Sequence, residues 1–272
     1  MYSAKVRKKP IAWMKPMYIL PVFLLAALTL LVNTPLLWAA SFSQAKIIIE
    51  VNATAEDAGI QIFVDAEGWN RLEVFDPKGR KIVDVTGSNS VGKQGITELF
   101  FESAEPSFEE QSLEELFDLF PKGNYTFRGT TVDGQALNGK AQLSHAIPAG
   151  PQIVSPAEDT VLAPQSPVVI DWIAVTTPFP GTTSPVKVAG YQVIVEQVKP
   201  EPLRIFSLTV PATVTSVTVS PEFIQANAEY AFEVLAIESG GNQTISEGSF
   251  TTSQSGNGAA RSQRGKRSKK PR

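Results

Sequence analysis

The sequence of 272 residues has no cysteine and a single histidine, His145. The absence of cysteine excludes disulfides, cysteine-ligated zinc, iron–sulfur clusters and thiol nucleophiles. A single histidine excludes any site that needs two imidazoles. The sequence also lacks a glycine-rich strand-to-helix turn for a phosphate and an evident Ser, His and Asp arrangement. We therefore expect a protein that is not an enzyme and that uses no cofactor.

Acidic residues are plentiful, but their spacing does not predict a catalytic or metal site. The pairs Glu109–Glu110 and Glu114–Glu115 are expected on solvated faces, whereas glycoside hydrolysis needs two carboxyls held apart in a cleft. The segment Asp65–Gly68 lacks the repeated oxygen ligands of a calcium loop. We predict no metal site, with a low-affinity calcium site as the minor alternative.

The net charge of −3 conceals a separation of charge along the chain. Residues 1–45 carry five basic and no acidic side chains, and residues 253–272 carry seven basic and no acidic ones. All 27 acidic side chains lie between these two segments. The chain therefore has an acidic body and two basic ends, and each end needs its own interpretation.

The N-terminal basic stretch is followed by an uncharged run from Pro16 to Ala45. A basic region, an apolar region and then small residues form the order of a secretory signal. Ala39–Ser41 and Ser43–Ala45 both offer small residues for cleavage. The alternative is an uncleaved anchor, in which residues 16–45 contact the membrane. In both cases residues 1–45 are predicted to export the body to the periplasm or the outside of a bacterial cell.

The C-terminal end, residues 253–272, is rich in Ser, Gly and basic residues without an apolar repeat, so we expect it to be disordered. It is either a solvated tail or an electrostatic contact to an anionic polymer of the cell envelope. No aromatic side chain is interleaved to stack on bases, so nucleic acid is not an expected partner. The candidate polyanion contacts are Arg261, Arg264, Lys266, Arg267, Lys269, Lys270 and Arg272.

Residues 46–145 contain short apolar runs between turn signals, which predicts a β-sandwich. Ile60–Val64 and Leu72–Phe75 are predicted as separate strands. Asp76–Gly79 is predicted as a hairpin turn, because proline presets the turn and glycine accepts a positive φ. Trp69 falls in a turn-like stretch between two strands.

One segment of this first module has helical periodicity. Ser112 and Glu115 form a capping box at its start, and Pro121 stops it. The short helix either closes the open end of the sandwich or presents an apolar surface to a neighbour. The side chains at the i, i+3, i+4 and i+7 spacing of one helix face are Leu113, Leu116, Phe117 and Phe120.

Two prolines within four residues mark residues 146–151 as a short, stiff linker. Beyond it, residues 152–252 show a strict alternation of apolar and polar side chains, which is typical of strands. Tyr191–Glu196 and Tyr230–Ala236 are the strongest such runs, and Trp172 is the expected buried tryptophan. The linker and this pattern predict a second β-sandwich.

The second module resembles the fibronectin type III fold. In that family an early strand carries a core Trp, the third begins Tyr-x-Val and the sixth reads Tyr-x-Phe-x-Val-x-Ala, which Trp172, Tyr191 and Tyr230–Ala236 match in order. The first module repeats the approach to the sixth strand at Phe120–Phe127 but has no matching early Trp. The resemblance implies that residues 46–145 form an immunoglobulin-like β-sandwich. It implies an all-β chain of two tandem sandwiches, immunoglobulin-like and fibronectin type III-like, with one short helix in the first. The expected core side chains are Trp172, Tyr191, Tyr230, Phe232, Tyr125 and Phe127.

The chain as a whole resembles small exported bacterial proteins with two such modules, which implies no specific activity. We expect a binding or spacer protein of the cell envelope whose partner is an unidentified protein or polysaccharide. The first alternative is a structural subunit that assembles through exposed strand edges. The second is an envelope-polymer binder that uses the basic tail.

The ends of the two modules that meet at the linker are the expected contact region. Phe179 stands between two prolines in a long loop, where it either fills the core or contacts a ligand. The helix of the first module is expected at the same joint, so we hypothesise that it packs on the Phe179 loop and fixes the angle between modules. The candidate interdomain or ligand contacts are Phe179, Leu113, Leu116, Phe117 and Asn242.

Overall fold

The computed structural model describes residues 40–254. The predicted N-terminal signal and basic tail lie largely outside these residues, and every candidate polyanion contact does. The first module contains β1 Ala40–Ser41, β2 Gln44–Asn52, β3 Asp57–Phe75, β4 Lys81–Thr86, α1 Asn89–Gln94, β5 Ile96–Glu102, α2 Leu113–Leu119, β6 Gly123–Thr131 and β7 Ala136–Leu143. The second contains β8 Gln152–Ser155, β9 Thr160–Leu162, β10 Val168–Ile173, β11 Val188–Lys199, β12 Arg204–Pro211, β13 Ser216–Val219, β14 Glu229–Glu238 and β15 Gln243–Thr252.

In the first module, two sheets share the long strand β3. Its first half pairs with β2 and β5, and its second half pairs with β4 and β6. Strands β7 and β1 extend the second of these sheets. The pairing shifts register between Asp65 and Trp69, which is the kind of irregularity that bends a strand from one layer into the other.

The predictions for β3 and Trp69 were therefore wrong in detail. Ile60–Val64 and Leu72–Phe75 belong to one strand, because the residues between them stay extended through the bend. Trp69 is not in a turn: it lies in β3 with none of its side chain exposed, at the centre of the first core. A residue whose neighbours in the sequence are polar and turn-like is therefore a core tryptophan, because it lies at the bend of β3.

Two helices, not one, interrupt the strands among the described residues. Helix α2 begins at the predicted capping box, where Ser112 Oγ accepts from the Glu115 N–H at 3.3 Å and the Glu115 carboxylate accepts from the Ser112 N–H at 2.8 Å. Leu116 of α2 is 3% exposed and packs in the first core. Helix α1 buries no residue, so the sequence contains no helical repeat of apolar side chains from which it could be predicted.

The second module is a sandwich of a three-stranded and a four-stranded sheet. Strands β13, β10 and β8 form one layer, and β12, β11, β14 and β15 form the other, with β9 added beside β15. Trp172 and Tyr191 contact each other across the core, with ring centroids 5.2 Å apart. Both are buried, as are Tyr230 and Phe232.

Each module also has a tyrosine near the start of one strand, Tyr125 in β6 and Tyr230 in β14, whose hydroxyl bonds to the preceding turn. Tyr125 donates to the carbonyl of Pro121 at 3.1 Å. Tyr230 donates to the carbonyl of Phe223 at 3.2 Å and accepts from the Gln225 N–H at 2.7 Å. This is the tyrosine corner of immunoglobulin-like sandwiches. The predicted fold class, two tandem immunoglobulin-like, fibronectin type III sandwiches, is confirmed.

Within residues 40–254, no helix is long enough and apolar enough to cross a membrane.

Candidate functional site at the joint between the modules

The two modules are joined by direct pairing of one strand from each, β2 and β15. Strand β15 of the second module runs parallel to β2 of the first, with Gln243 opposite Glu50 and Ile245 opposite Asn52. The Ala53 N–H extends this ladder by donating to the Ile245 carbonyl at 2.9 Å. One sheet therefore continues from the first module into the second.

Asn242 directly precedes β15 at one end of this ladder, is 1% exposed, and bonds through its side chain to two other segments. Its side-chain oxygen accepts from the Ile49 N–H at 2.9 Å. Its amide nitrogen donates to the carbonyls of Ser144 and Ala146, at 3.0 and 3.1 Å. The side chain ties together the first module, the linker and the turn before β15, which satisfies backbone groups that have no partner within their own strands.

The linker itself is packed into the joint. Thr244 Oγ1 donates to the Pro148 carbonyl at 2.6 Å. A Cβ on Gly150 would lie 2.6 Å from the Ala53 Cβ and 2.8 Å from the Ser246 Oγ. Only a glycine allows the linker to pass this close to both modules.

Phe179 also crosses from the second module to the first. Its N–H donates to the Ile147 carbonyl at 2.8 Å, and Pro178 forms an isolated bridge with Pro148. The ring packs on the first core and makes an edge contact with Phe108, with centroids 5.9 Å apart. The structure thus places Phe179 on the neighbouring module and packs its ring there.

Beside the joint, helix α2 and the loop after Phe179 line an open cleft of about 530 Å³. Phe117 stacks on His145 there, with ring centroids 4.0 Å apart, and the His145 Nε2 bonds to the Phe120 carbonyl at 2.9 Å. The structure brings Leu113 and Phe117 to this cleft, whereas Leu116 points into the core. The other lining residues are Glu114, Lys122, Pro180, Gly181, Thr182, Thr183 and Ser184.

A buried carboxyl lies on the other side of the joint. Glu50 is 7% exposed, and burial raises its pKa to about 7, partly offset by a hydrogen bond from Gln243 of the second module. Gln61 donates to its other oxygen at 2.8 Å. Carboxylate oxygens of Glu50, Glu102 and Glu105 lie within 4.8 Å of one another. Because both Glu50 oxygens already have amide partners, the group functions as part of the joint.

Neighbouring carboxyls share this environment. Desolvation raises the pKa of Glu105 and Glu233 above the ordinary value for glutamate, and the charges of nearby carboxylates add to the effect. Glu233 lies on β14 of the second module and Glu105 lies just after β5 of the first. The joint is therefore a place where like charges from both modules approach one another.

The sequence analysis missed Glu50 and the pairing of β2 with β15. Glu50 alternates with Ile47, Ile49 and Val51 along β2, so from the sequence it belongs to the solvent-facing side of a strand. Its carboxylate contacts Gln61 of the first module and Gln243 of the second, so part of its cover comes from a distant strand. No local pattern contains that information.

The fold and the joint together define the class of protein: an all-β chain of two fibronectin type III-like sandwiches fused through one continuous sheet. No family model matches the chain, and no curated protein matches it. At the level of fold, therefore, comparison rests on solved structures.

The chain is similar to the fibronectin(III)-like modules of Clostridium thermocellum CbhA, with 9% identity over 76% of this chain and 94% of that chain and a TM-score of 0.31. It is similar to the chicken CNTN1 FN1-FN3 domains, with 13% identity over 79% of this chain and 64% of that chain and a TM-score of 0.32. A third similar structure comes from a 1.5-MDa bacterial ice-binding adhesin, with 14% identity, 80% and 66% coverage and a TM-score of 0.27. At these identities the function has to be argued from the chain's own residues.

Proposed function

We propose that this protein is a non-enzymatic, exported spacer of the bacterial cell envelope, built from two β-sandwiches that are locked end to end. The single observation that carries this proposal is the parallel pairing of β2 with β15. A flexible two-module chain would be connected only by its linker. Here the strands, the linker and Phe179 all cross the same joint, so a hinge motion would break several buried contacts at once.

The strand register supports an extended spacer. Gln44 lies six residues before the paired Glu50, and Thr252 lies nine residues beyond the paired Gln243. Because the strands are parallel, these two ends point in opposite directions from the overlap. At about 3.3 Å per residue, the two strands span about 50 Å between Gln44 and Thr252. The joint thus sets a fixed separation between the points where the chain enters and leaves the described body.

Export is proposed from the N-terminal sequence, by way of a cleaved signal or an anchor at residues 16–45. Fractionation of the native cells, followed by mass spectrometry of the N-terminus, tests it. The proposal predicts recovery from the periplasm, the medium or the membrane fraction with the body outside the cytoplasm. Recovery from the cytoplasm with an intact N-terminus would contradict it.

A ligand-binding role is the second candidate, because the cleft beside α2 is open and combines an aromatic pair with hydroxyl groups. The partner would be an envelope protein or polysaccharide. Crosslinking in intact cells, with a photoreactive residue in place of Thr183 at the cleft, tests this candidate. A crosslinked partner that is lost on Phe117→Ala supports binding. A crosslinking yield at Thr183 no higher than the yield at an exposed control position such as Thr209 rejects the binding role, and the spacer function remains as the proposal.

Assembly through strand edges is a third candidate. Strand β12 is an edge of the large sheet, and its Ile205 and Leu208 side chains are about half exposed. Exposed edges pair readily with another chain. Analytical ultracentrifugation separates this candidate from the spacer: concentration-dependent oligomers that disappear on Leu208→Lys favour assembly, and a monomer at all concentrations rejects it.

The rigid joint is tested by small-angle scattering from the full chain. The proposal predicts one compact set of dimensions for the unaltered protein and larger, more variable dimensions for Asn242→Ala. Asn124→Ala, at an exposed position of β6, is the matched control and is expected to leave the dimensions unchanged. Equal scattering from Asn242→Ala and Asn124→Ala would count against the joint as the source of rigidity.

A further inference from the structure

Strands β2 and β15 overlap in a geometry that resists a force pulling them apart lengthwise. Strand β2 runs from its N-terminal end towards the overlap, and β15 runs from the overlap towards its C-terminal end, in the same direction. A force that separates Ser43 from Ser253 therefore acts along both strands. The hydrogen bonds between parallel strands are evenly spaced and slanted, and they run from one strand to the other, so sliding the two strands apart loads all of them together in shear. A force at right angles would break them one after another.

Side chains extend the overlap beyond the paired backbone. Asn52 Nδ2 donates to the Glu247 carboxylate at 2.9 Å, and the Glu247 N–H donates to Thr54 Oγ1 at 2.9 Å. At the opposite end of the overlap, Asn242 accepts from the Ile49 N–H. Bonds therefore connect the two strands from residue 49 to residue 54 of the first module. All of them are loaded when the strands are pulled apart lengthwise.

We propose that the overlap of β2 with β15, together with Asn242, Asn52 and Thr54, is a tension clamp. It transmits a pulling force directly from β2 of the first module to β15 of the second, and it keeps the linker, residues 146–151, unloaded. This function rests on the proposed spacer role, since a spacer held at both ends is under tension. The clamp is a stronger claim than the spacer role, because a joint can be rigid at rest without resisting a force along β2 and β15.

The absence of cysteine makes a direct test possible. Ser43→Cys and Ser253→Cys, both at exposed positions, introduce the only two thiols in the full chain, to which DNA handles for optical tweezers are attached. With the clamp, extension proceeds through two large events, one for each module. Without it, the joint opens first and the linker extends by at most about 20 Å, the full length of six residues at up to about 3.6 Å each.

Gly150→Ala is the first clamp variant, since its Cβ would press on Ala53 and Ser246, the residues that follow the paired segments of β2 and β15. Gly68→Ala is its matched control, because a Cβ there meets only ordinary contacts, the nearest at 3.7 Å. A second variant, Thr54→Val, removes only the exposed hydrogen bond that Thr54 Oγ1 accepts from the Glu247 N–H and leaves the buried joint intact. Both clamp variants are expected to show the short extension first, at a force about twofold or more below that of the first event in the control.

The short extension in the unaltered chain, before either module unfolds, would overturn the clamp. Equal force traces for both clamp variants and for Gly68→Ala would also overturn it. Neither result would overturn the spacer, whose rigidity at zero force is measured separately by scattering. If the force traces reject the clamp but scattering shows one compact set of dimensions, the protein is a stiff spacer that does not bear tension.

Discussion

The side-chain oxygen of Asn242 accepts a hydrogen bond from the backbone N–H of Ile49 at 2.9 Å, across a separation of 193 residues in sequence. Ile49 lies in the middle of β2, where the strand would otherwise present an unpaired edge. The amide nitrogen of the same asparagine donates to the carbonyls of Ser144 and Ala146, where the chain leaves β7 and enters the linker. One buried side chain therefore completes backbone hydrogen bonds in both β2 and the start of the linker.

Asn242→Ala is expected to destabilise the protein by about 3 kcal/mol, because it leaves a buried N–H and two carbonyls without partners. Denaturant unfolding monitored by tryptophan fluorescence measures the loss. Asn124→Ala is the control, with an expected change within about 0.5 kcal/mol. A loss at Asn242 no larger than at Asn124 would show that water replaces these bonds without cost.

Stability is expected to rise as the pH falls from about 7 towards 4.5. Burial raises the pKa of Glu50 from 4.5 to about 7, so between these values the folded protein binds more protons than the unfolded chain. The free energy of unfolding then decreases as pH increases through this window, by about 3 kcal/mol for this group. The raised pKa values of Glu105 and Glu233 act in the same direction.

Glu50→Gln removes the ionisable group and is expected to flatten this pH dependence and to raise stability at pH 8. Urea unfolding at several pH values measures both effects. Glu98→Gln, at an exposed position of β5, is the control and is expected to retain the slope. The same slope in both variants would mean that Glu50 is not the source of the pH dependence.

Phe179→Ala is expected to cost about 2 kcal/mol, since the ring leaves the first core and its edge contact with Phe108 is lost. The joint should loosen as well, with broader dimensions in solution scattering. Phe100→Ala, at a ring that is 57% exposed, is the control with little expected change. Unchanged dimensions in Phe179→Ala would remove this loop from the set of contacts that fix the joint.

The two tyrosine corners are expected to differ in strength. Tyr230→Phe loses two hydrogen bonds and leaves the Gln225 N–H without its partner, whereas Tyr125→Phe loses one bond to a carbonyl. We expect losses of about 2 and about 1 kcal/mol, respectively. Paired denaturant unfolding curves measure the difference. A larger loss for Tyr125→Phe would contradict this ranking.

Features encoded over a few neighbouring residues were predictable from the sequence. The capping box of Ser112 and Glu115 and the corner tyrosines depend on spacings of three to seven residues, which the structure retains. The alternation around Tyr230 predicted a strand because every second side chain faces the core. The fold class was predictable from such patterns, since the alternation of apolar and polar side chains along a strand shows which of its faces is buried.

Features that depend on distant partners were not predictable. Trp69 lies among polar residues, and its burial results from a bend in β3 that depends on pairing with both β5 and β6. Glu50 is buried in part by a strand 193 residues away. Asn242 and Phe179 were identified as contact residues from their loops, but their partners at Ile49 and Phe108 depend on how two modules meet.

The most direct measurement of the locked joint is the distance between one position in each module, by double electron–electron resonance on the full chain. Gln142→Cys on β7 and Thr209→Cys on β12 place spin labels at exposed strand positions, with no native cysteine to interfere. A single narrow distance distribution that broadens on Asn242→Ala is the predicted result. A broad distribution in the protein with Asn242 intact would contradict the locked joint.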